Sequence, residues 1–242
     1  MMSMSAYIKK RISKKITKAM HDFDLIKEGD KVLVAVSGGK DSTTMLQELA
    51  SRLGKADPNY QLEAIYIQAD FADSSPKDFL KPFCEKLSIP FHFLNVAIEK
   101  RLKENRDLNC YWCSTQRRTE LIQFAIKNDF NKIALGHHLD DIIETLLMNM
   151  VYKGEFSGMP PKVIYDKYPV SIIRPLCYCE ENEIKEYSIE SDFAQFTCTC
   201  PFAKNSHRKR IRKEIESLTQ SKSSLKQNIF ESMKNIKMDY LL

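Results

Sequence analysis

The sequence predicts a doubly wound α/β fold: a five-stranded parallel sheet covered by helices, with a basic N-terminal helix and a helical C-terminal tail. Three observations point there. Short apolar runs of strand length alternate with longer segments whose apolar residues recur at helical spacing, the pattern of successive β–α–β units. A glycine turn, Ser37-Gly38-Gly39-Lys40-Asp41-Ser42, joins the first strand to the helix after it. A hydrophobic content of 43% with 29% charged residues over 242 positions supports one sizeable core with appendages. The expected organisation is a basic helix over 1–28, the sheet domain over 29–179 and the tail over 180–242.

The elements follow in order. Lys9, Lys10, Arg11, Lys14, Lys15 and Lys18 surround an apolar stripe of Ile8, Ile12, Ile16 and Phe23, an amphipathic basic helix. Val32 to Val36 is continuously apolar and reads as a strand buried on both faces. Thr43 to Leu53 carries Met45, Leu46, Leu49 and Leu53 at helical spacing. Leu62 to Ile67 reads as the second strand, 76–87 as a helix opened by Pro76, and Phe91 to Val96 as the third strand. A helix from about Arg117 to Asn128 leads to a fourth strand, Lys132 to Leu135, ended by Gly136. Asp140 to Tyr152 is helical, 153–169 reads as a loop rich in Gly and Pro, and Val170 to Ile173 is the fifth strand.

The turn at 37–42 makes an anion site. Gly38 and Gly39 let the backbone approach a phosphate, and the helix start beyond them offers N–H groups and a positive dipole end. Lys40 adds a charge, Ser42 a hydroxyl, and Asp41 a carboxylate able to hold Mg2+. The adjacent glycines exclude the G-x-x-x-x-G-K-[ST] loop, and no G-x-G-x-x-G occurs. The competing reading is an ordinary glycine turn, but strand and helix flank the segment as a nucleotide loop requires.

No run of ~18 apolar residues occurs, so no membrane partner is expected. The N-terminus has no apolar segment after its charges, which leads to the expectation of a cytoplasmic protein with reduced thiols. Seven cysteines then suggest metal, cluster or redox chemistry rather than a disulfide framework. Cys110-Tyr111-Trp112-Cys113 is a C-x-x-C, and Cys198-Thr199-Cys200 supplies a second pair. Structural zinc held by four cysteines, a redox dithiol carrying a persulfide, and a cluster held by three cysteines with one iron open all fit this spacing. The net charge of +5 is concentrated in the N-terminal helix and in Arg208, Lys209, Arg210, Arg212 and Lys213. Either segment alone suits a solvated helix face; two beside a nucleotide site suit RNA.

The loop at 37–42 resembles the pyrophosphate loop of the adenine-nucleotide α-hydrolase group, which implies attack at an α-phosphate. Four further segments extend the likeness: Cys110-x-x-Cys113 with Gln116-Arg117-Arg118, Gly136-His137-His138-Leu139-Asp140-Asp141, Gly158 to Lys162, and Ile173 to Cys179. In that order they resemble the tRNA 2-thiocytidine synthetase family of PP-loop ATPases, over about residues 29–213. The resemblance implies an ATP- and Mg2+-dependent transferase that adenylates the C2 oxygen of an anticodon-loop cytidine and replaces it with sulfur. It also implies a [4Fe-4S] cluster on Cys110, Cys113 and a third cysteine. The second pair is C-x-C where the family usually has C-x-x-C; the distance to Arg208 favours Cys200, with Cys198 as the alternative. Other expected partners are tRNA and a sulfur donor such as a cysteine desulfurase, with a homodimer left open. The competing functions are thiolation of a uridine, a lysidine-type PP-loop ligase and a zinc-stapled tRNA-binding module.

Site roles follow from the motifs. Ser37 to Ser42, Gly136 and His137 are expected at ATP, and Asp70, just past the second strand, at its adenosine. Lys40, Arg117 and at least one of Asp140 and Asp141 are expected to be catalytic; Asp140 could instead cap the helix that starts there. Lys14, Lys15, Arg208, Lys209 and Arg210 are expected to contact tRNA. Cys84, Cys177 and Cys179 are expected in the core, and Trp112 beside the cysteines.

Overall fold

The structure, a computed structural model, describes residues 4–55, 58–71, 76–102, 107–193 and 207–240. It consists of α1 (Met4–Asp22), β1 (Lys31–Ala35), α2 (Lys40–Ala50), β2 (Gln61–Ala69), α3 (Lys77–Lys86) and β3 (Phe91–Val96). These are followed by α4 (Cys110–Lys127), β4 (Lys132–Ala134), α5 (Leu139–Lys153), β5 (Lys162–Ile164), β6 (Ser171–Ile173), α6 (Glu181–Glu190), α7 (His207–Thr219) and α8 (Ser223–Ser232).

The sheet has six strands in the order β3-β2-β1-β4-β6-β5. All neighbours are parallel except β5, which pairs antiparallel to β6 with Lys162 opposite Ile173. The doubly wound parallel sheet is as expected, with one added strand. β5 lies within the segment read as a loop, because three residues at a sheet edge carry too little periodicity to stand out among Gly and Pro.

Period-two alternation divides the strands between two cores. Val32 and Val34 face one side with Met45, Leu46 and Leu49 of α2, Ile142 and Ile143 of α5, and Ile8, Ile12 and Ile16 of α1. Ile211 and Ile215 of α7 and Phe230 of α8 join the same core. Leu33, Ile65, Ile67, Ile133 and Ile172 face the other side, covered by Leu121, Ile122 and Ala125 of α4. Burial of the α1 stripe explains its i, i+4 isoleucines, each at most 3% exposed. The polar side of α1 is tied down as well: Arg11 and Lys15 both pair with the buried Glu183 of α6, Lys15 at 2.7 Å. Among the described residues no helix is long and apolar enough to cross a membrane.

This topology positions the site. From β1 the chain crosses through α2 to β2 on one side; from β3 it returns through α4 to β4 on β1's other side. The C-terminal ends of β1 and β4 therefore flank a switch point, where open α/β sheets leave a crevice for ligands.

Candidate functional site

A cavity of about 420 Å³ opens at this switch point. Its lining includes Ser37, Asp41 and Ser42 on one wall, Ser114, Arg117 and Arg118 of α4 on another, and Gly136, His137 and Asp141 at the end of β4 and the start of α5.

The loop leaving β1 is built to meet an anion. Gly38 has φ +79°, a left-handed conformation that glycine adopts without strain. Gly39 caps α2 in an extended conformation without a side-chain hydrogen bond, so the cap leaves the helix's first N–H groups to a ligand. Ser42 holds the turn closed: the Ser37 N–H donates to its Oγ at 3.0 Å, and that hydroxyl lies 3.1 Å from the Gly39 carbonyl. Gly136 is needed for a different reason. A Cβ there would lie 3.0 Å from the Ser42 nitrogen and 3.1 Å from its Cα, so any side chain would require the α2 N-terminus to give way.

Two residues of the cavity lining, Arg117 and His137, carry unpartnered polar atoms. Arg117 Nε, His137 Nδ1 and Arg174 Nε are buried with no hydrogen-bond partner among the described residues. Such groups are costly to leave unsatisfied, and the first two mark the cavity as a place completed by a ligand. Arg174 follows β6, is 6% exposed and donates to the Pro160 carbonyl. Burial, with repulsion from Arg118, pushes it down to about 10. Burial also pushes His137 down to about 4, with Arg174 and Arg208 adding to it and Asp141 opposing. Its imidazole is therefore neutral at pH 7.

The two aspartates of the His137-His138-Leu139-Asp140-Asp141 segment separate. Asp141 lines the cavity and accepts the His138 N–H at 3.1 Å. Burial raises its pKa, but the facing His138 and His137 rings and that N–H bring it below the usual carboxylate range. Asp140 turns away: it accepts Lys226 Nζ of α8 at 2.6 Å and the Glu181 N–H of α6 at 2.7 Å. Of the pair expected to supply at least one catalytic carboxylate, Asp140 spends its two oxygens on the α6 start and α8, and Asp141 is the one on the cavity lining. Asp41 and Asp141 are the carboxylates on the lining.

Asp70 also lies elsewhere. It is exposed, accepts the Glu99 N–H at 3.0 Å, and lines a separate depression with Gln68, Ala69 and Asn95. Lys40 bonds Asp41 at 2.9 Å and Glu181 at 3.1 Å. Lys14 is exposed, whereas Lys15 is committed to Glu183, which corrects its reading as an open tRNA contact. Arg208 sits at the rim, 3.6 Å from Asp141 and 3.4 Å from Glu144; Lys209 and Arg210 are exposed.

α4 begins at Cys110 rather than at about Arg117 as expected, so the C-x-x-C is its first turn. Asn109 caps that helix by accepting the Trp112 N–H at 2.9 Å. Cys110 and Cys113 therefore sit one helical turn apart at a positive dipole end, a setting that favours ligands bound as thiolates. Cys110 is exposed and Cys113 partly exposed. The other described thiols are unsuited to ligation: burial pushes Cys84 up to about 11, Cys177 up to about 12 and Cys179 well above the ordinary thiol range. Cys198 and Cys200 lie outside the described residues, and no group of three metal ligands occurs among those described. The donor chemistry fits an iron–sulfur cluster or zinc with two ligands on α4. Trp112 packs on the second core and donates to the Ile98 carbonyl at 3.2 Å.

Sequence reasoning gave no individual role to Arg118, Glu144, Arg174, Glu181 or Lys226, and read Arg212 only as part of the basic segment suited to RNA. Arg118 stands beside Arg117 and was visible; the others have partners up to 141 positions away, which no local pattern reveals.

The PP-loop domain family matches residues 8–218 of this chain. A tRNA-cytidine(32) 2-sulfurtransferase of Bdellovibrio bacteriovorus is 37% identical over 96% of this chain and 90% of its own length. One from Alcanivorax borkumensis is 36% identical over 95% of this chain and 82% of its own. Among solved structures, the U34-tRNA thiolase NcsA from Methanococcus maripaludis, solved with its [4Fe-4S] cluster, superposes with a TM-score of 0.80 at 23% identity. That match covers 97% of this chain and 80% of the thiolase. The NH3-dependent NAD synthetase from Campylobacter jejuni gives a TM-score of 0.53 at 11% identity, covering 98% and 96% of the two chains.

Proposed function

Because the chain belongs to the tRNA-cytidine(32) 2-sulfurtransferase family of PP-loop proteins, we propose that it is an ATP-dependent tRNA thiolase that converts an anticodon-loop cytidine to 2-thiocytidine. One observation carries this reading. A single cavity has the phosphate loop on one wall and α4 on another, and α4 carries Arg117 one turn beyond the Cys110–Cys113 turn. Phosphate chemistry and sulfur chemistry then share one cleft.

The residues divide the reaction. The N–H groups after Gly38 and Gly39, with Lys40 and the α2 dipole, seat the ATP phosphates. Asp41 and Asp141 hold Mg2+, which neutralises phosphate charge. Arg117 faces the α-phosphate and stabilises charge that develops when the cytidine C2 oxygen attacks phosphorus and pyrophosphate leaves. Neutral His137 contributes hydrogen bonding without adding charge. Hydrosulfide, released from a persulfide donor by a thiol reductant, then attacks C2; the C2–O bond breaks, the original oxygen departs with AMP and the sulfur's proton is lost to solvent. Cys110 and Cys113, with Cys200 or Cys198 as third ligand, would hold a [4Fe-4S] cluster; when bound it supplies a Lewis-acidic centre that keeps sulfur near the base. The target lies in a single-stranded loop, where unstacking the base costs little. In this reading Arg208, Lys209, Arg210 and Lys14 meet tRNA phosphates, and a cysteine desulfurase-type donor supplies the sulfur.

The test is mass spectrometry of tRNA nucleosides from cells lacking the protein. Loss of 2-thiocytidine, restored by the wild-type chain but not by Cys110→Ser, is expected. Undiminished 2-thiocytidine overturns the reading.

A further inference from the structure

Charged groups around the nucleotide loop form a closed circuit. Lys40 contacts Asp41 at 2.9 Å and Glu181 at 3.1 Å. Glu181 contacts Arg212 of α7 at 3.2 Å, and Arg212 contacts Glu144 of α5 at 2.6 Å. Glu144 contacts Arg208 at 3.4 Å, and Arg208 contacts Asp141 at 3.6 Å. His138 closes the ring, 3.4 Å from Asp141 and 3.9 Å from Asp41. Signs alternate at each step through Lys40, Glu181, Arg212, Glu144 and Arg208.

The ring joins helices far apart in sequence. Lys40 opens α2, Glu181 opens α6, Glu144 lies in α5, and Arg208 and Arg212 lie in the first half of α7. The Glu144 carboxylate is 1% exposed, so the two α7 arginines dock onto a buried charge. Glu181 is the shared member between the phosphate loop and α7. Phosphate oxygens arriving at Lys40 must compete with Glu181 and Asp41 for one ammonium, and Glu181 can give up Lys40 because Arg212 remains to neutralise it.

We propose that Glu181 is a positioning residue of the transferase: it holds Lys40 until nucleotide binds, and Arg212 sets how readily it lets go. The inference rests on the nucleotide reading of the 37–42 loop. It links ATP binding to α7, the helix that carries the basic residues assigned to tRNA and follows the second cysteine pair. Glu181 acts through Lys40 and needs no contact with the reacting atoms.

The consequence is a pair of opposite effects. Glu181→Gln removes a competitor for Lys40 and tightens ATP binding. Arg212→Met removes the cation that shares Glu181, leaves Glu181 to Lys40 alone, and weakens ATP binding. Partly exposed ion pairs of this kind correspond to changes of about two- to fivefold in affinity. Titration calorimetry of Mg-ATP into the full chain, purified anaerobically, reads both. The double variant should bind like Glu181→Gln, since Arg212 reaches Lys40 through Glu181, and Arg212→Lys should restore wild-type affinity by keeping the charge. A residue that merely anchored α7 would move Glu181→Gln and Arg212→Met in the same direction or move neither, and either result overturns the proposal. Glu181→Gln alone decides if Arg212→Met fails to fold, because unchanged or weaker binding refutes it. Wild-type protein that binds no ATP would overturn the function together with this inference, whereas normal wild-type binding without opposed shifts overturns the inference alone.

Discussion

Replacing Asp140 by Ala should destabilise the protein far more than it disturbs nucleotide binding. The carboxylate accepts Lys226 Nζ at 2.6 Å and the Glu181 N–H at 2.7 Å, with the two charged side chains 11% and 10% exposed. Removing one member of a buried pair strands the other, and such losses run about 3–5 kcal/mol. For a chain of this length that corresponds to a melting temperature lower by roughly 6–20 °C. The loss should depend on pH. Burial opposes ionisation of Asp140, but Lys226 and the Glu181 N–H hold its folded pKa below the usual value. Its contribution is therefore complete above the unfolded pKa near ~4 and disappears as pH falls through the lower folded value. Lys226 is shifted up by the same pair despite burial, so its contribution persists until pH rises through a folded pKa above the ordinary ~10.4. Circular dichroism melts of wild type and Asp140→Ala from acidic to alkaline pH measure both effects. Asp140→Asn with Lys226→Met should recover most of the loss, because it removes both charges and keeps an acceptor for the Glu181 N–H. A neutral-pH shift below about 2 °C, the size expected of a surface substitution, would refute this assignment.

Gly136→Ala should weaken Mg-ATP binding by about tenfold, since the new Cβ meets the Ser42 backbone at 3.0 Å and must push the α2 N-terminus aside, an overpacking cost of about 1–3 kcal/mol; calorimetry checks it, and unchanged affinity counts against the close fit. Cys110→Ser and Cys113→Ser should each lose most of the iron recovered after anaerobic purification, whereas Cys84→Ser retains it, as metal analysis of the three variants will report. Lys14 and Lys15 are neighbours with different work: Lys14→Ala should lower the salt slope of tRNA binding by about 0.7–0.9 for each phosphate it no longer neutralises, with little change in melting temperature. Lys15→Ala should lower the melting temperature instead, because it strips a partner from Glu183, which is 3% exposed.

The segments legible in the sequence were those whose residues act on their own neighbourhood. Val32 to Val36 announced a buried strand, and Gly38, Gly39 and Ser42 announced an anion turn before any fold was drawn. The isoleucines of α1 marked its buried stripe. The start of α4 was missed by seven positions, from Arg117 back to Cys110, because residues 110–116 lack apolar periodicity and the one local signal, Asn109 as a cap, carries no hydrophobic pattern. β5 was missed because an edge strand as short as Lys162–Ile164 owes its existence to β6.

By itself, then, the sequence determined the sheet's parallel winding, the phosphate loop, the C-x-x-C and the family, since each rests on residues close together along the chain. The tertiary structure alone decided which aspartate of the pair Asp140 and Asp141 faces the cavity and which lysine of the pair Lys14 and Lys15 stays open. It also decided that Glu181 and Arg212 belong with Lys40. Neighbouring residues of one type are interchangeable in a pattern, but helix geometry turns adjacent side chains about 100° apart. What each one meets there depends on Glu183, Lys226 or Arg212, which only folding brings alongside.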